Sequence, residues 1–345
     1  MSAKEWINER FPIKGKSLTE TLLKEEIPIH MKKWLFAMGT TPFILFPLQI
    51  ITGMLLAFYF IPSTEMAFES VRYITEEVRM GFWIRGIHHW GANLMVISIF
   101  LHMMRVFFTH SYRKPRELNW VVGFVLLFLT LTISFTGYSL TYNQVSFWAA
   151  TVGTNLVKEV PFIGTALLEM MRGGGDVTIN TLTRFYTLHV WLLPIIITLI
   201  VVFHIVMIRL HGISEPKEFE KGHYEFYPNH LYKIIIVTLF LISFLSLMAV
   251  LLPPGLGEPA DPANTPLHIK PEWYFFPVFL FLRLVPLSVG LSLTGLAVLL
   301  MTFWPFFETL FSKNEKTRNV ISRIVGSIAI IILIVFTIIE SFSLI

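Results

Sequence analysis

Hydrophobic and polar positions alternate along this chain in whole segments, with apolar stretches of about 20 residues separated by polar loops. Stretches of that length cross a bilayer as helices. Residues 17–33, with Thr and Glu near the start and Lys at the end, are typical of an amphipathic helix lying on a membrane surface. The pattern therefore predicts an all-α, polytopic membrane protein. We predict seven membrane spans, at residues 34–60, 86–108, 120–140, 187–210, 231–252, 288–308 and 320–344.

The composition agrees with this pattern and narrows the possible chemistry. Of 345 residues, 54% are hydrophobic and 14% are charged, which is unlike a soluble domain. The chain has no cysteine, so disulfides, thiolate metal sites and haem attached through a thioether are excluded. Histidine is left as the strongest ligand for a metal ion or a haem iron.

Lysine and arginine are distributed unevenly between the two sides of the membrane. If the seven spans alternate in direction, 19 of the 27 Lys and Arg residues lie on the side of the N-terminus and 8 on the opposite side. Cytoplasmic loops carry the excess of positive charge in membrane proteins. We therefore expect residues 1–33 to form a cytoplasmic N-terminal segment.

Four histidines are placed regularly in two of the spans. His88 and His102 lie in the second span, and His189 and His204 lie in the fourth. Spacings of 14 and 15 residues correspond to about 21 and 22 Å of helix and to offsets of about 40° and 60° around it. Both spans run in the same direction in the predicted topology, so His88 is level with His189, and His102 with His204. A single histidine in a membrane helix is a hydrogen-bonded core residue about as often as it is a ligand. Four histidines at two matched heights instead predict two bis-histidine haem sites. Zinc would need more ligands at each level.

Two pairs of glycines repeat the same spacing. Gly39 and Gly53 lie in the first span, and Gly123 and Gly137 lie in the third, again 14 residues apart. Glycine inside a helix costs about 1 kcal/mol relative to alanine, so each position needs a reason. Close packing of membrane helices is one explanation, and clearance for a porphyrin at two levels is the other. The equal spacing in four helices favours the second.

Two arginines lie close to the histidines in sequence. Arg85 and Arg105 come three residues before His88 and three after His102, so they are candidates for neutralising haem propionates. The alternative is an arginine at a span end that extends its charge into water.

The loops on the His88 side of the membrane are long. The one between spans three and four has about 45 residues and is too apolar to be free, so we expect short helices on the surface. The proline-rich loop 253–286 contains the tetrapeptide Pro271-Glu272-Trp273-Tyr274. Long loops of this kind commonly carry function.

Taken with these residues, the chain resembles cytochrome b of the cytochrome bc and bf complexes from about residue 20 to the last span. KPREL and the three-span C-terminal part resemble the bf type, whereas DPANTPLHIKPEWYF resembles the mitochondrial and proteobacterial type. The resemblance implies a fused form, with a four-helix dihaem domain at 34–212 and a C-terminal domain at 213–345. Besides the histidine and glycine pairs, the resemblance rests on KPRELNW at 114–120, FTGYSL at 135–140, TLTRFYTLH at 181–189 and the tetrapeptide at 271–274.

The resemblance also implies roles for individual residues. His88 and His189 would hold a low-potential b haem near the outer face, and His102 and His204 a high-potential b haem near the inner face. Glu272 would accept protons from quinol, although outside this motif it would be an ordinary loop acid. The other implied positions are Tyr274, Phe135, Tyr138, Tyr142, Pro271 and Trp273 at the outer quinol site, Arg209 at the inner quinone site and Trp120 near the inner haem.

One segment departs from the family pattern. Where the family has Pro-Trp, then Gly or Asp, then Gln, this chain has Thr141-Tyr142-Asn143-Gln144 beside the expected quinol site. An inner-site acid of the family aligns with His230 or Ile234, depending on the subtype compared.

The implied function is the dihaem cytochrome b subunit of a quinol:cytochrome c oxidoreductase in an energy-transducing membrane, such as a prokaryotic plasma membrane. Quinol would be oxidised at the outer face. One electron would pass to a Rieske iron–sulfur protein and a c-type cytochrome, and the other through both haems to an inner quinone site, coupled to proton translocation. The family also implies a homodimeric complex, and nothing indicates a nucleic-acid partner.

Two functions of other classes remain open at this point. The first is a dihaem anchor that relays electrons between quinone and a peripheral dehydrogenase without bifurcation, against which the Glu272 tetrapeptide argues. The second is a transporter without haem, whose histidines relay protons.

Overall fold

The protein is a bundle of long helices with short helices at both ends. The computed structural model describes residues 2–12, 27–33, 38–215, 221–266 and 269–343. Its only sheet within these residues pairs strand β1, Ile27–Pro28, with β2, His223–Tyr224, in antiparallel fashion. The helices are α1 Ala3–Arg10, α2 Thr40–Ala57, α3 Ala67–Glu76, α4 Gly81–Phe108, α5 Glu117–Ser139, α6 Gln144–Lys158, α7 Gly164–Arg172, α8 Ile179–Thr187, α9 Leu193–His211, α10 Leu231–Leu251, α11 Phe276–Leu284, α12 Leu287–Thr302, α13 Trp304–Phe311 and α14 Glu315–Phe342.

Six helices of the described chain are long and apolar enough to cross a membrane, and a seventh span results if α12 and α13 are counted together. One of the six is continuous from α8 through a wide turn at Leu188–Leu192 into α9. Another runs from Phe226 through α10. The predicted all-α membrane fold is therefore confirmed, and α6 and α7 are the short helices expected between spans three and four.

The span predicted at 288–308 is broken in the structure, because α12 and α13 are bent by 83° relative to each other. Pro305, in the first turn of α13, has no N–H to donate to the carbonyl of Met301 and so interrupts the helix. The indole Nε1–H of Trp120 donates to this carbonyl instead, at 2.9 Å. A side chain of α5 thus satisfies the backbone at the bend.

The prediction of a helix at residues 17–33 is wrong in the part that the structure describes. Residues 27–33 form β1 and a 3₁₀ turn at Ile29–Lys32, and residues 13–26 lie outside the described ranges. Pro28 explains the difference, because proline interrupts helix hydrogen bonding and biases the preceding residue toward an extended conformation. The described N-terminal helix is α1, which begins with a capping box between Ser2 and Glu5.

Two pairs of helices form the core of the bundle. Helix α2 packs along α4, and α5 packs along α9, with α10 on the outside of α4. Small residues allow the close approach of α10, since a Cβ on Gly86 would lie 2.6 Å from the Cβ of Ala249. The C-terminal helices α11 and α14 pack against each other, and α14 also contacts α4.

A buried ion pair holds the C-terminal helices to the loop between α4 and α5. The Arg113 Nε donates to Glu308 Oε1 at 2.6 Å, and the Tyr112 hydroxyl donates to Glu308 Oε2 at 2.7 Å. The side chains of Glu308 and Arg113 are 3% and 19% exposed. Burial raises the pKa of Tyr112 to about 12, so its hydroxyl remains a donor at physiological pH.

We predict that Arg113→Met will lower the free energy of unfolding by about 3 to 5 kcal/mol, because it leaves the buried Glu308 carboxylate without its cation. Glu308→Gln should cost less, since the Arg113 side chain that it leaves behind reaches solvent. Chemical denaturation in detergent micelles measures both. Equal losses in the two variants would contradict this account of the pair.

Candidate functional site

A mostly apolar cavity of about 660 Å³ lies between the helix pairs α2/α4 and α5/α9. It runs through the bundle from the level of His88, here called the His88 end, to the level of His102, the His102 end. Among the sequence-predicted site residues, those that line it are His88, His102, His189, His204, Gly39, Gly53, Gly123, Gly137, Arg85, Arg105, Arg209, Tyr138, Glu272 and Tyr274.

The histidine pair at the His88 end is spaced for one metal atom between its rings. The ring centroids of His88 and His189 are 6.2 Å apart, with the ring planes at 79°. A metal–imidazole bond is about 2 Å long, so two such bonds in line take up about 4 Å and the rings account for the rest. Among the residues that the structure describes, no three His, Asp or Glu side chains meet as a protein-bound zinc site would need. The donor set therefore fits a haem iron with two axial imidazoles.

Hydrogen bonds orient both rings of this pair. The His189 Nδ1 lies 2.9 Å from the Ile133 carbonyl, which can only accept, so Nδ1 carries the proton. The His88 Nδ1 lies 2.9 Å from the Thr52 hydroxyl, and that hydroxyl donates to the Leu48 carbonyl at 2.8 Å. Thr52 therefore accepts from His88. In both rings Nε2 is left as the metal-binding atom, which is the usual arrangement around metal-ligating histidine.

The His102 ring has a different neighbour. Its Nδ1 lies 3.4 Å from Nη2 of Arg105, and a guanidinium can only donate. This contact favours the imidazole with its proton on Nε2. His102 would hold a haem iron through Nε2 only as the tautomer with its proton on Nδ1, which does not form this contact.

A wide turn brings His189 and His204 into line. Within Leu188–Leu192 the backbone makes a π-turn, closed by the Leu193 N–H donating to the Leu188 carbonyl. Such a turn takes up one residue more than an α-helical turn. The 15 residues between the histidines therefore behave as 14, which matches the spacing of the other pair. Pro194, directly after the turn, was the sequence signal for this irregularity.

Each of the four spaced glycines faces one histidine of the neighbouring helix. A Cβ on Gly137 would lie 2.8 Å from Nδ1 and 2.9 Å from Nε2 of His189, and closer still to Cε1. A Cβ on Gly123 would lie 3.8 Å from Cε1 of His204, which is an ordinary contact. These glycines thus provide clearance for the imidazole rings, and the porphyrin clearance indicated by their spacing stays a prediction. The remaining facing pairs are Gly39 with His102 at 3.1 Å and Gly53 with His88 at 3.2 Å.

The tetrapeptide at the His88 end brings a carboxylate to the cavity. Glu272 precedes the 3₁₀ turn Trp273–Phe275, and the Trp273 indole donates to Asn93 Oδ1 of α4 at 2.7 Å. Glu272 and Tyr274 border the cavity. Burial raises the pKa of the Glu272 carboxyl above its ordinary value.

Some of the other outer-site residues lie outside the cavity lining. Phe135 packs against Phe185 and Phe275, and Tyr142 is a core residue, 8% exposed, packed on Phe147. Tyr138 does line the cavity. The predicted residues that are not among its lining are Phe135, Tyr142, Pro271, Trp273 and Trp120, the last held at the bend before α13.

The segment that departs from the family pattern anchors the loop beside the site. Asn143 caps α6, and its amide donates to the Leu256 carbonyl at 2.9 Å. The Gln144 N–H donates to the Glu258 carbonyl at 2.8 Å. Arg85 holds the start of the same loop, donating to the carbonyls of Pro254 and Gly255, each at 2.8 Å.

The cavity lining at the His102 end includes a cation and an imidazole. Arg209 lines the cavity there, together with His230, whose Nδ1 is 2.8 Å from the Tyr224 hydroxyl. Two residues that contact the site, Thr52 and Asn93, were not predicted from the sequence. A polar residue inside an apolar span was the signal that could have found either one.

Known protein families match most of this chain. The family described as Cytochrome b/b6/petB matches residues 22–212, and that described as Cytochrome b(C-terminal)/b6/petD matches residues 259–343. The cytochrome bc complex cytochrome b subunit of Chlorobaculum thiosulfatiphilum is 38% identical over 96% of this chain and 79% of its own. Cytochrome b6 of Heliobacterium mobile is 45% identical over 61% of this chain and 99% of its own. A solved structure titled Hyperthermophilic respiratory Complex III aligns with a TM-score of 0.77 and 26% identity, covering 97% of this chain and 98% of that one.

The contrast between two glycines gives a test of the cavity. We predict that Gly137→Ala will displace the His189 ring and lower the amount of haem that copurifies with the protein by about half, because its Cβ would overlap the ring. Gly123→Ala should retain full haem content, since its Cβ has room. A pyridine haemochrome assay on purified protein measures both. Equal haem content in the two variants would contradict the assigned clearance.

Proposed function

Because the chain belongs to the cytochrome b family, as an integral membrane protein of the electron-transferring bc type, we propose that it is the dihaem subunit of a quinol:cytochrome c oxidoreductase. The observation that carries the proposal is the pair of histidine levels bordering one cavity, with His88 and His189 spaced for a shared iron. His102 and His204 are the corresponding ligands at the other level. When bound, two b-type haems supply one-electron transfer between a quinol site and a quinone site.

The chain's own residues at the His88 end are suited to receive protons from quinol. Quinol releases protons as it is oxidised, so a base must lie within hydrogen-bond reach. Glu272 borders the cavity there, and its raised pKa makes the carboxylate a better proton acceptor near neutral pH. Tyr138 and Tyr274 lie close enough for the charge of Glu272 to act on their hydroxyls. Quinol is therefore the proposed substrate at this end.

The His102 end is suited to bind quinone. Arg209 and His230 border the cavity and offer a cation and an imidazole to a quinone oxygen. The hydrogen bond between His230 and Tyr224 fixes the imidazole. In this proposal Arg209 binds the quinone through its positive charge, and the imidazole of His230 passes a proton to it as it is reduced.

The charge distribution sets the proposed orientation. With the basic N-terminal side in the cytoplasm, Glu272, His88 and His189 lie at the outer face of an energy-transducing membrane, which we take to be a prokaryotic plasma membrane. The proposed partners there are a Rieske iron–sulfur protein and a c-type cytochrome, in a homodimeric complex. Quinol oxidation outside and quinone reduction inside would translocate protons.

Pairwise replacement of the histidines tests the ligand sets. We expect a b-type α band in the reduced-minus-oxidised spectrum, and about half of it lost in His88→Leu, because both axial ligands are needed for stable haem binding. The double variant with His189→Leu should lose no more, since both residues serve one haem. Combining His88→Leu with His204→Leu should abolish the band.

His89→Leu is the matched control, since it removes a neighbouring histidine without removing a proposed ligand. It should keep the full spectrum. A wild-type protein without a b-type band would contradict haem binding and favour the transporter function. Additive losses in His88→Leu with His189→Leu would contradict the pairing.

Replacing the proposed proton acceptor tests the quinol site. Glu272 must be ionised to accept a proton, so wild-type quinol:cytochrome c reductase activity should rise as the pH passes upward through its raised pKa. We predict that Glu272→Gln, in the assembled complex, will lower this activity by about 100-fold and flatten that limb of the pH profile.

The exposed acid Glu258, on the same loop, provides a control. Glu258→Gln should leave both activity and pH profile as in the wild type. Unchanged activity and pH dependence in Glu272→Gln would rule out the proton-acceptor role, and would leave a dihaem anchor without bifurcation as the better function.

A further inference from the structure

Helix α14 carries a fully buried carboxylate near its end at the level of the tetrapeptide. The Glu340 side chain is 0% exposed, although it lies in the last turn of an apolar membrane helix. It is not among the residues that line the central cavity. Ionisable residues in such helices are costly and usually have a function, so Glu340 calls for a role that the haem and quinone sites do not supply.

Two cations bind the side chain and the backbone of this one residue. Arg283 Nη1 lies 3.0 Å from Oε1 and 3.1 Å from Oε2 of Glu340. Lys270 Nζ donates to the Glu340 carbonyl at 2.8 Å and to the Ser343 carbonyl at 2.5 Å. A lysine at this position also interacts favourably with the negative end of the helix dipole.

These two cations stand on either side of the segment that contains the tetrapeptide. Lys270 directly precedes Pro271, and Arg283 lies in the last turn of α11. Between them, α14 packs along α11 and against the 3₁₀ turn Trp273–Phe275. Residues 271–284 are therefore held at both ends by the C-terminal end of α14, at Lys270 through backbone carbonyls and at Arg283 through the Glu340 carboxylate. Glu272 and Tyr274 lie inside this segment, and we call the two-point attachment the clamp.

We propose that Glu340 is a positioning residue for the quinol site: its carboxylate holds Arg283, and its backbone carbonyl, with that of Ser343, holds Lys270, so that Glu272 and Tyr274 stay at the edge of the cavity. The proposal rests on the function proposed above. A misplacement of about 1 Å can cost about 100-fold in rate, so a base on a loop needs such an anchor. The indole of Trp273, bound to Asn93, fixes the segment at one point only, and Glu340 supplies two more.

Glu340→Gln and Lys270→Met, each in the whole complex, test the clamp. We expect Glu340→Gln to raise the KM for quinol by about threefold or more and to speed amide hydrogen exchange in residues 271–284 by about tenfold, because the segment loses one of its anchors. Lys270→Met should act in the same direction, and Lys270→Arg should keep wild-type values, because an arginine can still donate to the carbonyls of Glu340 and Ser343. Decylubiquinol and menadiol serve as the quinols, with cytochrome c reduction as the readout.

Glu308→Gln is the matched control, because it removes an equally buried acid that ties α14 to the rest of the protein at the opposite end. It should leave both the KM and the exchange of residues 271–284 unchanged. Glu340→Asp is a second variant that keeps the charge, and it should lie between wild type and Glu340→Gln in both measurements.

The exchange measurement separates the clamp from the proposed function. Unchanged exchange in Glu340→Gln, or an equal change in Glu308→Gln, would overturn the clamp whether or not the complex oxidises quinol. Faster exchange with an unchanged KM would overturn the positioning role. A wild-type complex that oxidises no quinol would overturn the proposed function, and with it the role of Glu340 there.

Discussion

The structure depends on packing four imidazole rings between helices inside a membrane. Each ring is a polar group in an apolar medium, so it needs both space and hydrogen-bond partners. The helix pairs supply the space in a reciprocal way, because the histidine of one helix faces a glycine of its neighbour, as with His88 and Gly53. For His88 and His189 the partners come from the same neighbours, since Thr52 and the Ile133 carbonyl accept from their Nδ1 atoms. Helix pairing, cavity shape and ring orientation are therefore parts of one constraint.

The same constraint shows why the sequence predicted this part of the fold well. Spans, all-α class and the cavity-facing histidines follow from hydropathy and from a 14-residue repeat, both of which are local properties of the chain. The offset of His204 was not predictable from regular helix geometry, because the π-turn before Leu193 changes the local periodicity. The bend at Phe303, between α12 and α13, was not predicted for a similar reason. It depends on Pro305 together with the indole of Trp120, which is far away in sequence.

The loops at the His88 end were predicted less completely, because backbone carbonyls receive most of the bonds that hold them. Arg85 binds the carbonyls of Pro254 and Gly255, and Lys270 binds those of Glu340 and Ser343. A carbonyl is the same in every residue, so no sequence pattern identifies it as a partner. The contacts of Arg85 with this loop were therefore not predictable from the sequence, and neither was the burial of Tyr142, which is 8% exposed.

Haem ligation and proton acceptance, the two kinds of chemistry proposed for this chain, therefore depend on different parts of the structure. The histidines stand on long helices, where packing over many turns fixes each ring, and a change in the loops need not move them. Glu272 stands on a segment that follows a proline-rich loop and contacts α14 through Arg283 and Lys270, and α4 through the indole of Trp273. In the proposed function, proton acceptance therefore depends on loop contacts, whereas the electron path depends on the helix bundle. The departure at residues 141–143 is consistent with this division, because Asn143 takes part in the loop contacts and the histidine pairs are intact.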